Sequence, residues 1–112
     1  MTFETLELQR EGFLATVTLN RPDVRNAFNE TTIAELTEVF RSLDSDASVR
    51  VVVLAANGPA FCAGADLNWM KKMADYTYEE NLADAGQLAA MLSAIYQCSK
   101  PVIARVQGDC YA

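Results

Sequence analysis

"VRVVVLAA", Val49 to Ala56, limits more than any other stretch what this chain can fold into. A near-continuous β-branched run has no alternating polar face, so it suits a central strand covered by apolar groups on both sides. Such strands lie in parallel sheets, which need crossover connections. The flanking sequence supplies them. Asn29 can cap a helix from Glu30 to Leu43, where Ile33, Leu36, Phe40 and Leu43 form one apolar face. A longer helix is expected from Tyr78 to Cys98, with Leu82, Leu88, Met91, Leu92 and Ile95 on its buried side and Lys100-Pro101 ending it. "VIARV", Val102 to Val106, reads as a further strand, and Gln107-Gly108 begins a loop. Upstream, Phe3 to Leu8 and Phe13 to Leu19 read as two strands about a turn at Glu11-Gly12, and "FLATVTL" has the two-residue period of a strand. The order is that of an α/β fold with parallel crossovers.

Composition removes several classes of function. The chain has 112 residues, one domain's worth, taken here as a single unit over residues 1–112. A net charge of −6 without a Lys/Arg tract argues against nucleic acid as a partner. No apolar run approaches the roughly 20 residues of a membrane span, and "MTFETLELQR" lacks a basic-then-apolar export pattern. A cytoplasmic protein is the expectation. Cys62, Cys98 and Cys110 are widely spaced, without a C-x-x-C pair, and read as reduced, mostly buried thiols. With no histidine in the chain, neither a zinc site nor Ser-His-Asp or Cys-His catalysis is expected. Neither phosphate-loop motif, G-x-G-x-x-G or G-x-x-x-x-G-K-[ST], is present.

Chemistry concentrates in "AFCAGADLNWM", Ala60 to Met70. The small residues Ala63, Gly64 and Ala65 let a ligand approach the backbone, and a short helix is expected after Asp66. A helix start leaves main-chain N–H groups free and favours negative charge. An oxyanion forming against the Ala65 N–H would be stabilised where its charge develops. The same residues also suit a plain turn packed under a neighbouring helix, with Asp66 as an ordinary cap.

Three segments resemble one known family. "LNRPDVRNAFN" (Leu19 to Asn29), "VRVVVLAANGPAFCAGADLNWM" (Val49 to Met70) and "KPVIARVQG" (Lys100 to Gly108) are similar, in order and at about the right spacing, to the enoyl-CoA hydratase/isomerase, or crotonase, superfamily. The "ADLNWMKKMA" continuation looks most like the branch that handles methylglutaconyl-CoA and related carboxylated enoyl-CoAs. The resemblance implies a crotonase-like (ClpP/crotonase) spiral of repeated ββα units, of which this chain would be the N-terminal half. It also implies assembly as a trimer or dimer of trimers, and an acyl-coenzyme A thioester as substrate. No metal or redox cofactor is implied, coenzyme A being part of the substrate. The residue matching Ala65 supplies one of two backbone donors to the thioester oxygen. Ala63, Ala65, Asp66 and Leu67, with Gly64 between them, would line the bent coenzyme A. Arg25 and Ala27 would sit near its nucleotide end, where a cation beside phosphate makes sense, although Arg25 also suits a solvated loop. Trp69 and Met70 could wall the acyl pocket or simply be core.

Family members are considerably longer. Their second oxyanion donor and the two glutamates that add water have no counterpart here. Glu79, Glu80, Asp84 and Asp75 read as a solvated face instead. One oxyanion donor is worth roughly 10²–10³ in rate, and general acid–base help about 10²–10⁴, so this chain alone is expected to be inert. Rival readings are an isomerase or acyl-CoA hydrolase of the same superfamily, a non-catalytic coenzyme A-binding or assembly module, and a plain α/β domain. Half a spiral should also leave much of the Val49–Ala56 strand uncovered.

Overall fold

The structure, a computed structural model, describes residues 2–111; the two ends of the expected 1–112 unit lie outside them. β1 (Leu6–Glu11) and β2 (Leu14–Leu19) form an antiparallel hairpin in register from Leu6↔Leu19 to Glu11↔Leu14. The turn is Gly12-Phe13 rather than Glu11-Gly12, and Gly12 sits at φ +59°, where a Cβ is disfavoured. β1 also starts later than the expected Phe3. The Glu35 carboxylate takes the amides of Glu4 and Thr5 at 2.8 and 2.9 Å, tying that stretch to a helix instead of extending the hairpin. Phe13 is exposed, with the Arg50 guanidinium 4.5 Å from its ring centroid.

Helix α1 (Glu30–Asp44) begins where expected: the Asn29 side chain accepts from the Thr32 amide at 3.0 Å. Ile33, Leu36, Val39, Phe40 and Leu43 are buried against the sheet. At its other end the Lys100 ammonium gathers the carbonyls of Leu43, Asp44 and Asp46 at 3.0, 2.6 and 3.1 Å. A cation is favoured there by the helix dipole. The chain then enters β3 (Val51–Ala56), parallel to β2 from Leu14↔Val51 to Leu19↔Ala56. β3 begins two residues late because the amides of Arg50 and Val51 both donate to the Phe13 carbonyl.

Two elements escaped the sequence reading. β4 (Ala60–Cys62) and β6 (Asp109–Cys110) pair in parallel as a small second sheet. Between them lie α2 (Leu67–Met73), α3 (Tyr78–Tyr96) and β5 (Val102–Ala104), the last parallel to β3 on its free side. The main sheet therefore runs β1-β2-β3-β5, with β3 inside as expected. The succession is β1-β2-α1, then β3-β4-α2-α3, then β5-β6, so strands of successive units stack in parallel. β3 is covered incompletely: Val52 and Ala55 are buried, while Val51, Val53, Leu54 and Ala56 keep some exposure.

Three expectations need correcting. α3 starts at a capping box of Thr77 and Glu80 but stops at Tyr96. The Ser99 amide is committed to Asp44 at 2.6 Å, which pulls the following residues onto the end of α1. Of its expected buried residues, Met91 is buried and Leu88 and Ile95 partly so, but Leu82 and Leu92 are 62% and 55% exposed. At about 100° per residue, Leu82 lies on the opposite side of the helix from Met91. Leu92 lines an apolar cavity between α3 and the sheet that no described residue fills, which leaves it exposed. The cysteines are free thiols, but only Cys62 is buried; Cys98 is half-buried and Cys110 exposed on the short edge strand β6.

Candidate functional site

The site is built from two loops that zip together. The first follows β2 as a single 3₁₀ turn, Pro22–Val24, with proline at its first position. Arg25 and Asn26 then both adopt left-handed backbone, at φ 52° and 58°. Asparagine tolerates this conformation better than most side chains, and here the side chain is fully employed. Asn26 Oδ1 accepts from the Arg21 amide at 2.8 Å, and Nδ2 donates to the carbonyls of Asn57 and Ala60 at 2.8 and 3.0 Å. These bonds hold the strained pair in place and leave the Arg25 side chain exposed.

The second loop runs from β4 into α2. Ala63 N–H donates to the Arg25 carbonyl at 3.0 Å, Phe28 N–H to the Gly64 carbonyl at 2.9 Å, and Asp66 N–H to the Phe28 carbonyl at 2.9 Å. Beneath them the Cys62 thiol bridges the loops, donating to the Asn26 carbonyl at 3.3 Å and accepting from Gly64 N–H at 3.4 Å. Burial pushes that thiol's pKa up, so it stays protonated and inert. Gly64 sits at φ +94°, which only glycine adopts without strain. The amides of Ala63, Gly64 and Asp66 are thus all engaged. That of Ala65 has no acceptor among the described residues. Its own peptide unit carries the Gly64 carbonyl, held by Phe28. In a trans peptide C=O and N–H point opposite ways, so the Ala65 N–H faces away from Phe28.

Asp66 caps α2: one carboxylate oxygen accepts from the amides of Asn68 and Trp69 at 2.8 and 3.2 Å. The other meets Arg21 Nη2 at 3.1 Å, and Arg21 Nη1 donates to the Ala27 carbonyl at 2.6 Å. Burial opposes ionisation of Asp66. The Trp69 amide, the Arg21 guanidinium and the Asn68 amide together outweigh it and hold the carboxyl below its ordinary pKa.

A cleft of about 710 Å³ opens along these loops, lined by Arg25, Ala27, Ala63, Ala65, Asp66 and Leu67. Those are six of the nine residues singled out from sequence. Gly64 is buried under the loop. Trp69 is buried away from the cleft, 6.0 Å from the Phe28 ring, with its indole N–H 3.4 Å from Asp84. Met70 is half-exposed and does not line the cleft. Asp23, Val24, Asn68 and Lys71 also line it and were missed. Lys71 was findable, because it lies four residues after Leu67 and so shares a face of α2. Neither Arg25 nor Lys71 has an ion-pair partner among the described residues, so the cleft carries two free cations in an acidic chain.

Among the described residues no cluster of three His, Cys, Asp or Glu side chains could hold a metal, and no helix is long and apolar enough to cross a membrane. The acids weighed from sequence do not line the cleft either: Glu80 is spent in the α3 capping box, Asp84 accepts from Trp69, and Glu79 and Asp75 are exposed. A second cavity of about 350 Å³, mainly apolar, is bounded by Phe28, Leu36, Leu54, Leu88, Met91 and Ile95 among others.

Stacked ββα units thus present, on a small-residue turn beside a cleft, a main-chain donor that has no acceptor among the described residues. A sequence profile of the enoyl-CoA hydratase/isomerase family matches residues 9–112, and the chain belongs to that family. It is 40% identical to an enoyl-CoA hydratase of Shewanella pealeana whose crystal structure superposes with a TM-score of 0.92, over 95% of this chain and 40% of that one. It is 33% identical to the short-chain-enoyl-CoA hydratase of Clostridium acetobutylicum, over 96% of this chain and 41% of that protein. It is also 32% identical to the peroxisomal Delta(3,5)-Delta(2,4)-dienoyl-CoA isomerase of Arabidopsis thaliana, over 97% of this chain and 44% of that protein. The fold is accordingly that of the crotonase-like enzymes, and the chain spans about 40% of the length of the curated relatives it matches.

Proposed function

We propose that this chain is the N-terminal part of an enzyme that adds water across the double bond of a 2-enoyl-CoA thioester. The observation that carries the reading is the Ala65 N–H, without an acceptor among the described residues in a loop whose neighbouring amides are engaged, at the wall of a cleft large enough for an extended ligand. The thioester oxygen accepts that hydrogen bond, and the enolate that follows is stabilised most at this point. Water adds at C3 and a proton at C2, managed by carboxylates that lie outside this chain, as does the second oxyanion donor. The thioester needs no metal or redox cofactor, because hydrogen bonds carry the negative charge. Arg25 and Lys71 face the phosphates of the coenzyme A moiety, and Ala27, Ala63, Asp66 and Leu67 border its pantetheine arm. The acyl group is branched or carboxylated, as in methylglutaconyl-CoA. The enzyme works in the cytoplasm as a trimer or a dimer of trimers, and the 112-residue chain alone is inert.

The Arabidopsis relative favours a second reading, double-bond isomerisation, because the oxyanion donor serves both reactions and the acids that separate them are elsewhere. One assay decides. The full-length protein is incubated with straight-chain, branched and carboxylated 2-enoyl-CoAs, and with a 3-enoyl-CoA. Formation of a 3-hydroxyacyl-CoA from any 2-enoyl-CoA upholds hydration. Conversion of the 3-enoyl-CoA alone upholds isomerisation, and no turnover of any of them overturns both.

A further inference from the structure

The Ala65 donor stands at the end of a connected line of hydrogen bonds, and the other end of that line is the half-buried guanidinium of Arg21. Arg21 Nη1 donates to the Ala27 carbonyl at 2.6 Å. That carbonyl belongs to the peptide unit whose N–H, on Phe28, donates to the Gly64 carbonyl at 2.9 Å. The Gly64 carbonyl in turn belongs to the peptide unit whose N–H is that of Ala65. All peptide bonds among the described residues are trans, so the two units lie head to tail, and both dipoles run from the guanidinium towards the cleft. A positive charge at the acceptor end of such a chain draws electrons from each peptide in turn, and each N–H beyond it becomes a better donor.

The remaining bonds of Arg21 stiffen the same line. Nη2 holds Asp66, whose other oxygen fixes the first amides of α2, so the residue following Ala65 is anchored too. The main-chain carbonyl of Arg21 accepts from Val24 and Asn26 at 3.1 and 2.9 Å, and the Arg21 amide donates to the Asn26 side chain. Arg21 does not line the cleft. Its charge is well placed to act on the reacting oxygen, but only through two peptide groups.

We propose that Arg21 is a positioning residue for the reaction: it orients and polarises the Ala65 N–H through the Ala27–Phe28 and Gly64–Ala65 peptides. This rests on the functional reading above, in which Ala65 meets the thioester oxygen. Such a residue acts on the developing oxyanion more than on the ground-state ligand, so its loss falls on kcat. Lysine keeps the charge but not the fork, and methionine keeps the approximate length without the charge.

The test uses the full-length protein as wild type, Arg21→Lys and Arg21→Met. Three quantities are read: kcat and KM for hydration, the Kd of butanoyl-CoA, and the absorption maximum of a bound aryl-conjugated enoyl-CoA, which moves to the red as its carbonyl oxygen accepts stronger hydrogen bonds. Arg21→Met is expected to lose about tenfold in kcat, equivalent to about 1.4 kcal/mol, to keep the butanoyl-CoA Kd within about twofold, and to show a smaller red shift. Arg21→Lys is expected to recover at least half of that shift. If Arg21→Met does not fold, Arg21→Lys carries the test alone through its intermediate shift and kcat. A wild-type kcat and red shift in the folded variants would overturn the proposal, as would a loss confined to KM and Kd. A wild-type protein that neither turns over nor shifts the probe would sink the functional reading itself. Normal wild-type turnover with an unaltered Arg21→Met would sink this inference alone.

Discussion

Phe28 and Ala65 form a single parallel β-bridge between two loops, and Phe28 uses both of its main-chain groups in it. Its N–H holds the Gly64 carbonyl and its C=O holds the Asp66 N–H, so the residue between them is gripped on both sides while its own amide has no acceptor among the described residues. A donor held this way needs no reorganisation when charge arrives, which is the condition under which a hydrogen bond accelerates a reaction most.

Replacing Ala65 by proline removes that donor without breaking any protein hydrogen bond, since the N–H has no acceptor among the described residues. In the full-length enzyme, kcat for enoyl-CoA hydration should fall by roughly 10²–10³. Steady-state kinetics beside a thermal melt checks this; wild-type turnover in a folded variant would remove Ala65 from the reaction.

Arg25 makes no ion pair among the described residues and lines the cleft beside Lys71. A group that meets phosphate far from the reacting carbons contributes uniform binding, felt in KM and not in kcat. Arg25→Met should therefore raise KM for an enoyl-CoA about tenfold, the worth of one charge-assisted hydrogen bond. The same substitution should leave KM for the corresponding acyl-pantetheine thioester unchanged, and equal losses on both substrates would refute the phosphate role.

What the sequence made legible follows its physical signals. The Val49–Ala56 run and the Asn29-capped α1 announce themselves through composition and period, and both form within two residues of where they were read. β4 and β6 have three and two residues, too few to show any period, and they pair only because the third unit of the chain lies against the second. On α3, helix period alone sets Leu82 opposite Met91, but the exposure of Leu92, next to Met91, was unreadable, because apolar residues do not reveal which neighbour is there to cover them. At the site, small residues and the Asp66 cap marked the Ala65 turn. Nothing local marked Arg21, whose contacts lie up to 45 positions away in the chain.

Gly108 is a packing requirement rather than a turn residue. A Cβ there would overlap the carbonyl of Pro59, a backbone atom that cannot swing aside. Gly108→Ala should push β6 away from β4 and cost about 1–3 kcal/mol, as over-packing commonly does. Urea unfolding of the full-length protein measures this through the midpoint at constant slope, and an unshifted midpoint would mean that the second sheet adds little to stability.

Asp66 gives the fold a pH dependence whose sign is fixed. Its carboxyl titrates below the ordinary value in the folded protein, because the Trp69 and Asn68 amides and the Arg21 guanidinium outweigh the burial that opposes ionisation. Between the folded and unfolded pKa the unfolded chain binds the extra proton, so stability rises with pH there. The contribution is complete above the unfolded pKa of about 3.9 and is lost as the pH falls through the folded value. Asp44 and Asp46 are shifted in the same direction, chiefly by hydrogen bonds from Ser99 and Ser48, so the wild-type slope alone does not isolate Asp66. Comparison with Asp66→Asn does. The variant should be less stable at neutral pH, since asparagine caps α2 but loses the ion pair with Arg21. The difference should shrink as urea midpoints are followed below about pH 4. Parallel curves down to strong acid would show that the Asp66 carboxylate is not held by Arg21 and the α2 amides in solution.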